Sequence, residues 1–204
     1  MSSESSATHV SSYFKYHVKF DDKTIETIVT NERAVADAWV KEILVAHAEN
    51  PKVVVGFHVK WYEWTSSTSG KCSTLQLCID TKCIILQLKH IDEISQSIKD
   101  FLMNPNITFV GAHEDFTKFV GDYGLDCAKS EDIRAAVIRK WPRRFQRHDL
   151  EYLAKELAGL KLDKPCDTFL TGWGNQVLDI ALVDYACIVA YASYKIGHAL
   201  FAET

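Results

Sequence analysis

The segment Pro51-Lys-Val-Val-Val-Gly-Phe-His-Val-Lys-Trp61 constrains this chain more than any other. Val53, Val54 and Val55 form an unbroken β-branched run, which suits a central strand covered on both faces because such side chains pack well on a pleat. After Gly56 the pattern alternates. Phe57, Val59 and Trp61 fall on one side, so His58 and Lys60 share the other. A basic pair at the end of a buried strand demands an electrostatic account.

The chain has 204 residues, 47% of them hydrophobic, enough for one domain to bury a core without disulfide or metal staples. A net charge of −4 gives no global basic footprint, which disfavours a protein that coats nucleic acid non-specifically but leaves room for a local basic groove. Cys72, Cys78, Cys83, Cys127, Cys166 and Cys187 form no C-x-x-C pair and most sit in apolar patterns, so they read as reduced, buried small hydrophobes. The Ser-rich first twelve residues lack the basic start and apolar core of a signal peptide. No apolar run reads as approaching the ~18 residues that a membrane span needs. The expected setting is soluble, in nucleus or cytoplasm.

In chain order, residues 1–12 are expected to be disordered and residues 13–204 to form a single domain. Tyr16–Phe20 and Thr24–Val29 alternate around Asp21-Asp22-Lys23 and predict a hairpin. Asn31 reads as the cap of a helix reaching about His47. After the central strand and a polar loop over Thr65–Lys71, Ser73–Ile79 and Cys83–Leu88 predict a second hairpin. Ile91–Met103 is spaced as a helix and stops before Pro105; Ile107–Gly111 reads as a short buried strand, and a helix follows through Phe116, Phe119 and Val120. Residues 126–148 are polar and basic. Leu150–Leu157 predicts an amphipathic helix closed by Gly159, and Asn175–Leu200 a long final helix rich in small residues, which permit close packing, including on another subunit. These elements make an α/β sandwich with a mixed sheet.

Five segments in this order resemble the Werner-type 3′–5′ exonuclease domain family of the DEDD group. They are Val53–Phe57, Thr74–Leu77 with Cys83–Leu88, Phe101–Lys118, Leu150–Leu157 with Gly172-Trp173, and Val183-Asp184-Tyr185-Ala186. The resemblance runs from about Tyr16 to Phe201. It implies a ribonuclease H-like three-layer fold, a mixed β-sheet flanked by helices with an N-terminal β-hairpin. It also implies stepwise phosphodiester hydrolysis at a DNA or RNA 3′ end.

That reaction uses two divalent ions held by hard carboxylate oxygens. Carried over by position, the family's first Asp falls on His58, its Glu on Lys60, its second Asp on Asp115 and its last Asp on Asp184; the Tyr that precedes the last Asp falls on Ile180. Asp115 and Asp184 are thus the metal-binding candidates that remain, and hydrolysis is expected to be impaired or absent, with no tightly bound cofactor. The alternative is an active enzyme using Mg²⁺ or Mn²⁺ at an altered site built on Asp115, Asp184 and His58. Glu63, Glu114 and Asp179 are the nearest substitute acids by sequence. The expected arrangement has Lys60 bridging Asp115 and Asp184, an ammonium in the space of the lost ion. Trp61, Arg143, Arg144 and Arg147, with Trp141 and Phe145 nearby, are the candidates for contacting nucleic acid. A nucleic-acid partner is expected; a homo-oligomer or protein partner is left open.

Overall fold

In a computed structural model, residues 6–10, 13–61, 70–162 and 171–201 are described. The Thr65–Lys71 loop up to residue 69, Glu63, Trp64 and Cys166 lie outside them. The architecture is α/β. Eight strands, β1 (Ser6–Val10), β2 (Tyr13–Phe20), β3 (Lys23–Thr30), β4 (Val53–Trp61), β5 (Cys72–Ile79), β6 (Lys82–Leu86), β7 (Ile107–Gly111) and β8 (Ser130–Asp132), form one sheet in the order β1-β2-β3-β6-β5-β4-β7-β8. Pairing is antiparallel within the two hairpins and for β4 with β5, and parallel for β3 with β6, β4 with β7 and β7 with β8. Ser6–Val10, inside the stretch expected to be disordered, pairs antiparallel with β2.

The parity of β4 divides the layers. Val55, Phe57 and Val59 are fully buried on one face, where Phe57 stacks on Phe116 at 4.5 Å between centroids and meets Phe109 and Phe119 edge-on. Phe116 and Phe119 belong to helix α3 (His113–Tyr123). Helix α1 (Arg33–Ala46) joins the same layer through α2 (Gln96–Leu102), with Trp39 edge-on to Phe101 and Phe101 edge-on to Phe109. The other face of the sheet carries the long last helix, flanked by α4 (Ile133–Lys140) and α5 (Leu150–Ala158); this helix is α6 (Ile180–Phe201).

Helix α6 lies directly on the backbone of β4. A Cβ placed on Gly56 would sit 2.0 Å from the Ala190 carbonyl oxygen and 2.7 Å from the Tyr194 nitrogen. At the far end of the helix, a Cβ on Gly197 would meet Val54 and Val110 at 2.8 Å. Ala186, Ala190, Ala192 and Ser193 are buried within the chain itself, so the small residues serve this crossing. By length and composition α6 could also cross a membrane, contrary to the sequence expectation; its burial against the sheet makes it a core helix here.

Three boundaries differ from the periodicity. The second helix begins at Gln96 because the Ser95 hydroxyl accepts from the Ile98 N–H and caps it there. Helix α6 begins at Ile180, behind Asp179, whose carboxylate accepts from the Ala181 N–H. Upstream of it, Gln87 donates to the Asn175 and Gln176 carbonyls and holds that stretch out of helix. The polar region 126–148 contains β8 and α4, the latter capped by the Asp132 carboxylate on the Ala135 N–H. The cysteines behave as expected where described: Cys72, Cys78, Cys83, Cys127 and Cys187 are buried free thiols, and burial pushes Cys127 up to about 12.

Gly56→Ala forces a methyl into α6 backbone that has no flexible end to yield. It should lower stability by at least about 2 kcal/mol in urea unfolding, at the upper part of overpacking costs. Gly121→Ala in α3 meets nothing within 4 Å and should instead stabilise, by roughly 0.5–1 kcal/mol in the same measurement.

Candidate active site

The site lies at the C-terminal end of β4, on the face that α6 covers. His58 and Lys60 share the parity of Gly56, so both side chains rise towards that helix. Strand β7 ends at Gly111, and α3 starts two residues later with Asp115 in its first turn. A carboxylate is favoured there, among the unpaired N–H groups of a helix N-terminus. Asp115 is only 5% exposed, and its Oδ2 lies 2.6 Å from His58 Nδ1. A carboxylate only accepts, so Nδ1 carries the proton. The other ring nitrogen, Nε2, is buried and has no hydrogen-bond partner among the described residues.

Helix α6 brings Asp184 and Tyr185 over the strand end, both half-buried. The Lys60 side chain ends beneath Tyr185. Its Nζ is 3.4 Å from the Tyr185 hydroxyl, 4.7 Å from the Tyr185 ring centroid and 5.7 Å from that of Trp173. The expected bridge from Lys60 to Asp115 and Asp184 is therefore not found among the described residues; the basic partner of Asp115 is His58. The reason is reach. The imidazole, two residues further into the sheet, abuts Asp115, while the longer amine reaches the faces of the Tyr185 and Trp173 rings. Burial pulls the Lys60 amine below its ordinary range, and the negative charge of Asp115 opposes this only in part. Burial, followed by the charges of Glu151 and Asp115, pushes the Tyr185 phenol up.

His58, Asp115 and Tyr185 also line a cleft of about 300 Å³ with Arg134, His148 and Glu151. Arg134 and His148 went unnoticed as site residues in the sequence, because only β8 and α4, which periodicity does not reveal, carry Arg134 to the cleft. Asp132 capping α4 is the one local signal that could have found it.

The arginines of the basic strip are exposed and lie beside aromatic rings and a carboxylate. The Arg144 guanidinium lies 5.1 Å from the rings of both Trp141 and Phe145, and Phe145 is buried, so these rings face arginine and core rather than a stacking surface. Arg147 pairs with Asp149 at 2.8 Å and overlies Tyr152. Arg143 is exposed with a positive φ of 71°. Trp61, 37% exposed, flanks the site at the end of β4. Of the substitute acids, Glu114 is exposed and Asp179 caps α6.

The donor set does not fit a pair of divalent ions. His58 offers a nitrogen donor and Lys60 a basic amine rather than carboxylate oxygens, and one Asp115 oxygen is committed to an imidazole N–H. Among the described residues no three His, Cys, Asp or Glu side chains converge so as to hold a metal ion. An imidazole hydrogen-bonded to a carboxylate and a half-buried amine are the groups that this site offers.

Comparison with known proteins places this geometry in a family. Residues 27–203 match the family model described as 3′–5′ exonuclease. Over 163 residues the chain is 26% identical to the exonuclease 3′–5′ domain-containing protein 2 of Drosophila melanogaster, covering 77% of this chain and 27% of that protein. Over 158 residues it is 25% identical to a 3′–5′ exonuclease of Drosophila mojavensis, covering 74% of this chain and 47% of that protein. The chain thus spans from about a quarter to a half of the length of these relatives. Among solved structures, the catalytic core of RRP6 from Trypanosoma brucei superposes with a TM-score of 0.62 at 17% identity, over 85% of this chain and 46% of that one. Brucella melitensis NrnC with bound Mg²⁺ superposes with a TM-score of 0.59 at 15% identity, over 74% of each chain. These structures share the fold, and the match of the family model across nearly all of the sequence shows that the chain belongs to the 3′–5′ exonuclease family.

Proposed function

We propose that this protein binds nucleic acid at the groove of a 3′–5′ exonuclease fold and has lost metal-dependent hydrolysis. The observation that carries this reading is the 2.6 Å contact between His58 Nδ1 and Asp115 Oδ2. It spends a family carboxylate on a hydrogen bond inside the protein. Lys60 adds an amine two residues on, where the family has an acid, and an ammonium there repels a divalent ion. NrnC is described with bound Mg²⁺, so the family fold accepts such ions when its donors allow. Here two of the four acid positions are basic residues. Support for nucleic-acid binding comes from Arg134 and His148 in the cleft, from exposed Arg143 and Arg144, and from exposed Trp61 at the strand end.

With Mg²⁺ or Mn²⁺ and a labelled 3′-recessed duplex, the protein should produce no ladder of shortened strands. A ladder abolished by Asp115→Ala and by Asp184→Ala would overturn the reading in favour of an active altered site.

The double variant His58→Asp with Lys60→Glu restores the family's charges at both positions. Titration calorimetry should then detect Mg²⁺ or Mn²⁺ binding that is absent from the parent protein. No gain would mean that the site has been remodelled beyond these two residues.

Binding of a single-stranded oligonucleotide should weaken as salt rises. If Arg134 meets a phosphate, Arg134→Ala should reduce the slope of log K against log salt by about 0.7. An unchanged slope in fluorescence anisotropy would move the phosphate path away from this cleft.

A further inference from the structure

We propose that the cavity at the opposite end of β4 from the active site binds a nucleoside monophosphate. It shares no lining residue with the active-site cleft, so it goes beyond the function proposed above and does not depend on it.

The cavity has a volume of about 660 Å³, more than twice that of the cleft beside His58 and in the range of small-molecule sites. It lies where β4 and β7 begin, at Val53, Val54 and Thr108, roughly 20 Å along the strand from Lys60 by residue rise. Val54 and Val110 both face Gly197 of α6, so the cavity sits on the α6 side of the sheet, beside the last turns of that helix.

Its walls combine rings with cations. Tyr194, His198 and Phe201 all line it, and their i, i+4, i+7 spacing sets them in one stripe of α6. The His198 ring is exposed and lies 6.0 Å from the Tyr194 ring. With Val54 and Ile79, this stripe offers a flat ring a surface to pack on. The Asn106 side-chain amide adds a donor and an acceptor, the complement of a base edge.

Lys52 and Lys129 supply the charge. Glu131 is level with Val110, and Lys129, two residues before it, shares that face; Lys52 shares the parity of Val54. Both side chains therefore leave the sheet on the α6 side, two strands apart. That is roughly 10 Å across the sheet, a gap that two four-carbon stems can close on one phosphate. The two carboxylates in the lining are engaged elsewhere. Asp80 accepts from the Tyr194 hydroxyl at 2.7 Å and meets His47 Nε2 at 3.2 Å, while Glu131 pairs with Arg139 at 2.8 Å. Lys129 makes no ion pair among the described residues. A planar base joined to a single phosphate answers both halves of this lining.

The test is titration calorimetry of the full chain with adenosine 5′-monophosphate, which should bind saturably at one site. Adenosine and inorganic phosphate, each half of that ligand, should bind at least about tenfold more weakly, as expected when charge-assisted or stacking contacts are lost. Lys52→Ala combined with Lys129→Ala should weaken the nucleotide by about tenfold or more; both side chains are exposed, so the thermal melt should not change. His198→Ala should weaken it several-fold, and Arg134→Ala should leave it unaltered. Absence of binding would overturn the proposal. Phosphate binding as tightly as the nucleotide would overturn the assignment to a nucleotide. Affinity lost in Arg134→Ala but kept in the lysine variant would place the ligand in the active-site cleft and overturn the second site, leaving the nucleic-acid reading intact.

Discussion

Everything in this molecule hangs on the contact between the backbone of α6 and the backbone of β4 at Gly56. A helix that touches a strand with no side chain between them fixes both the depth and the register of the last element. The position of Tyr185 above Lys60, and of Asp184 beside it, follows from that register. Two glycines and a run of alanines make the contact, at a cost in backbone entropy that the buried area around them offsets. The opposite face of β4 is held in a complementary way, by an aromatic cluster in which Phe57 meets Phe109, Phe116 and Phe119. One strand thus carries a flat polar-ended face and a filled apolar one, and alternation alone assigns each residue to its side.

The chemistry of the site is a problem in charge. Carboxylates gathered in a buried place need cations. Here the chain sets the imidazole of its own His58 against Asp115. His58 satisfies Asp115 by a short hydrogen bond, and Lys60 moves its charge onto aromatic faces. A hydrogen-bonded imidazole does not leave when the medium changes, as an exchangeable ion does, so Asp115 becomes part of the scaffold. The amine is the less settled of the two: burial weakens its hold on a proton, and no carboxylate at ion-pair distance among the described residues restores it.

Much of this was legible in the sequence. Val53–Trp61 announced a covered strand, the two hairpins followed from polar residues between alternating runs, and Gly159 closed its helix as expected, with φ of 70°. Less was legible where a local hydrogen bond overrides periodicity. The apolar spacing from Ile91 or from Asn175 is compatible with helix, yet Ser95 and Gln87 decide otherwise. The three-residue β8 is too short and too polar to leave a pattern; its pairing with β7 creates it, and with it the place of Arg134.

The sequence alone determined which residues share a face of β4, that a basic pair stands at the end of that strand, and that a mixed α/β sheet must form. Period-two alternation and residue chemistry are local properties, so they can be read in one dimension. Only the tertiary structure decided which base takes which acid. The reading from sequence assigned Asp115 to Lys60, whereas distance assigns it to His58. Whether an ammonium meets a carboxylate or a tyrosine ring depends on the height at which a helix 125 residues further along the chain crosses the strand, and no local pattern encodes that height.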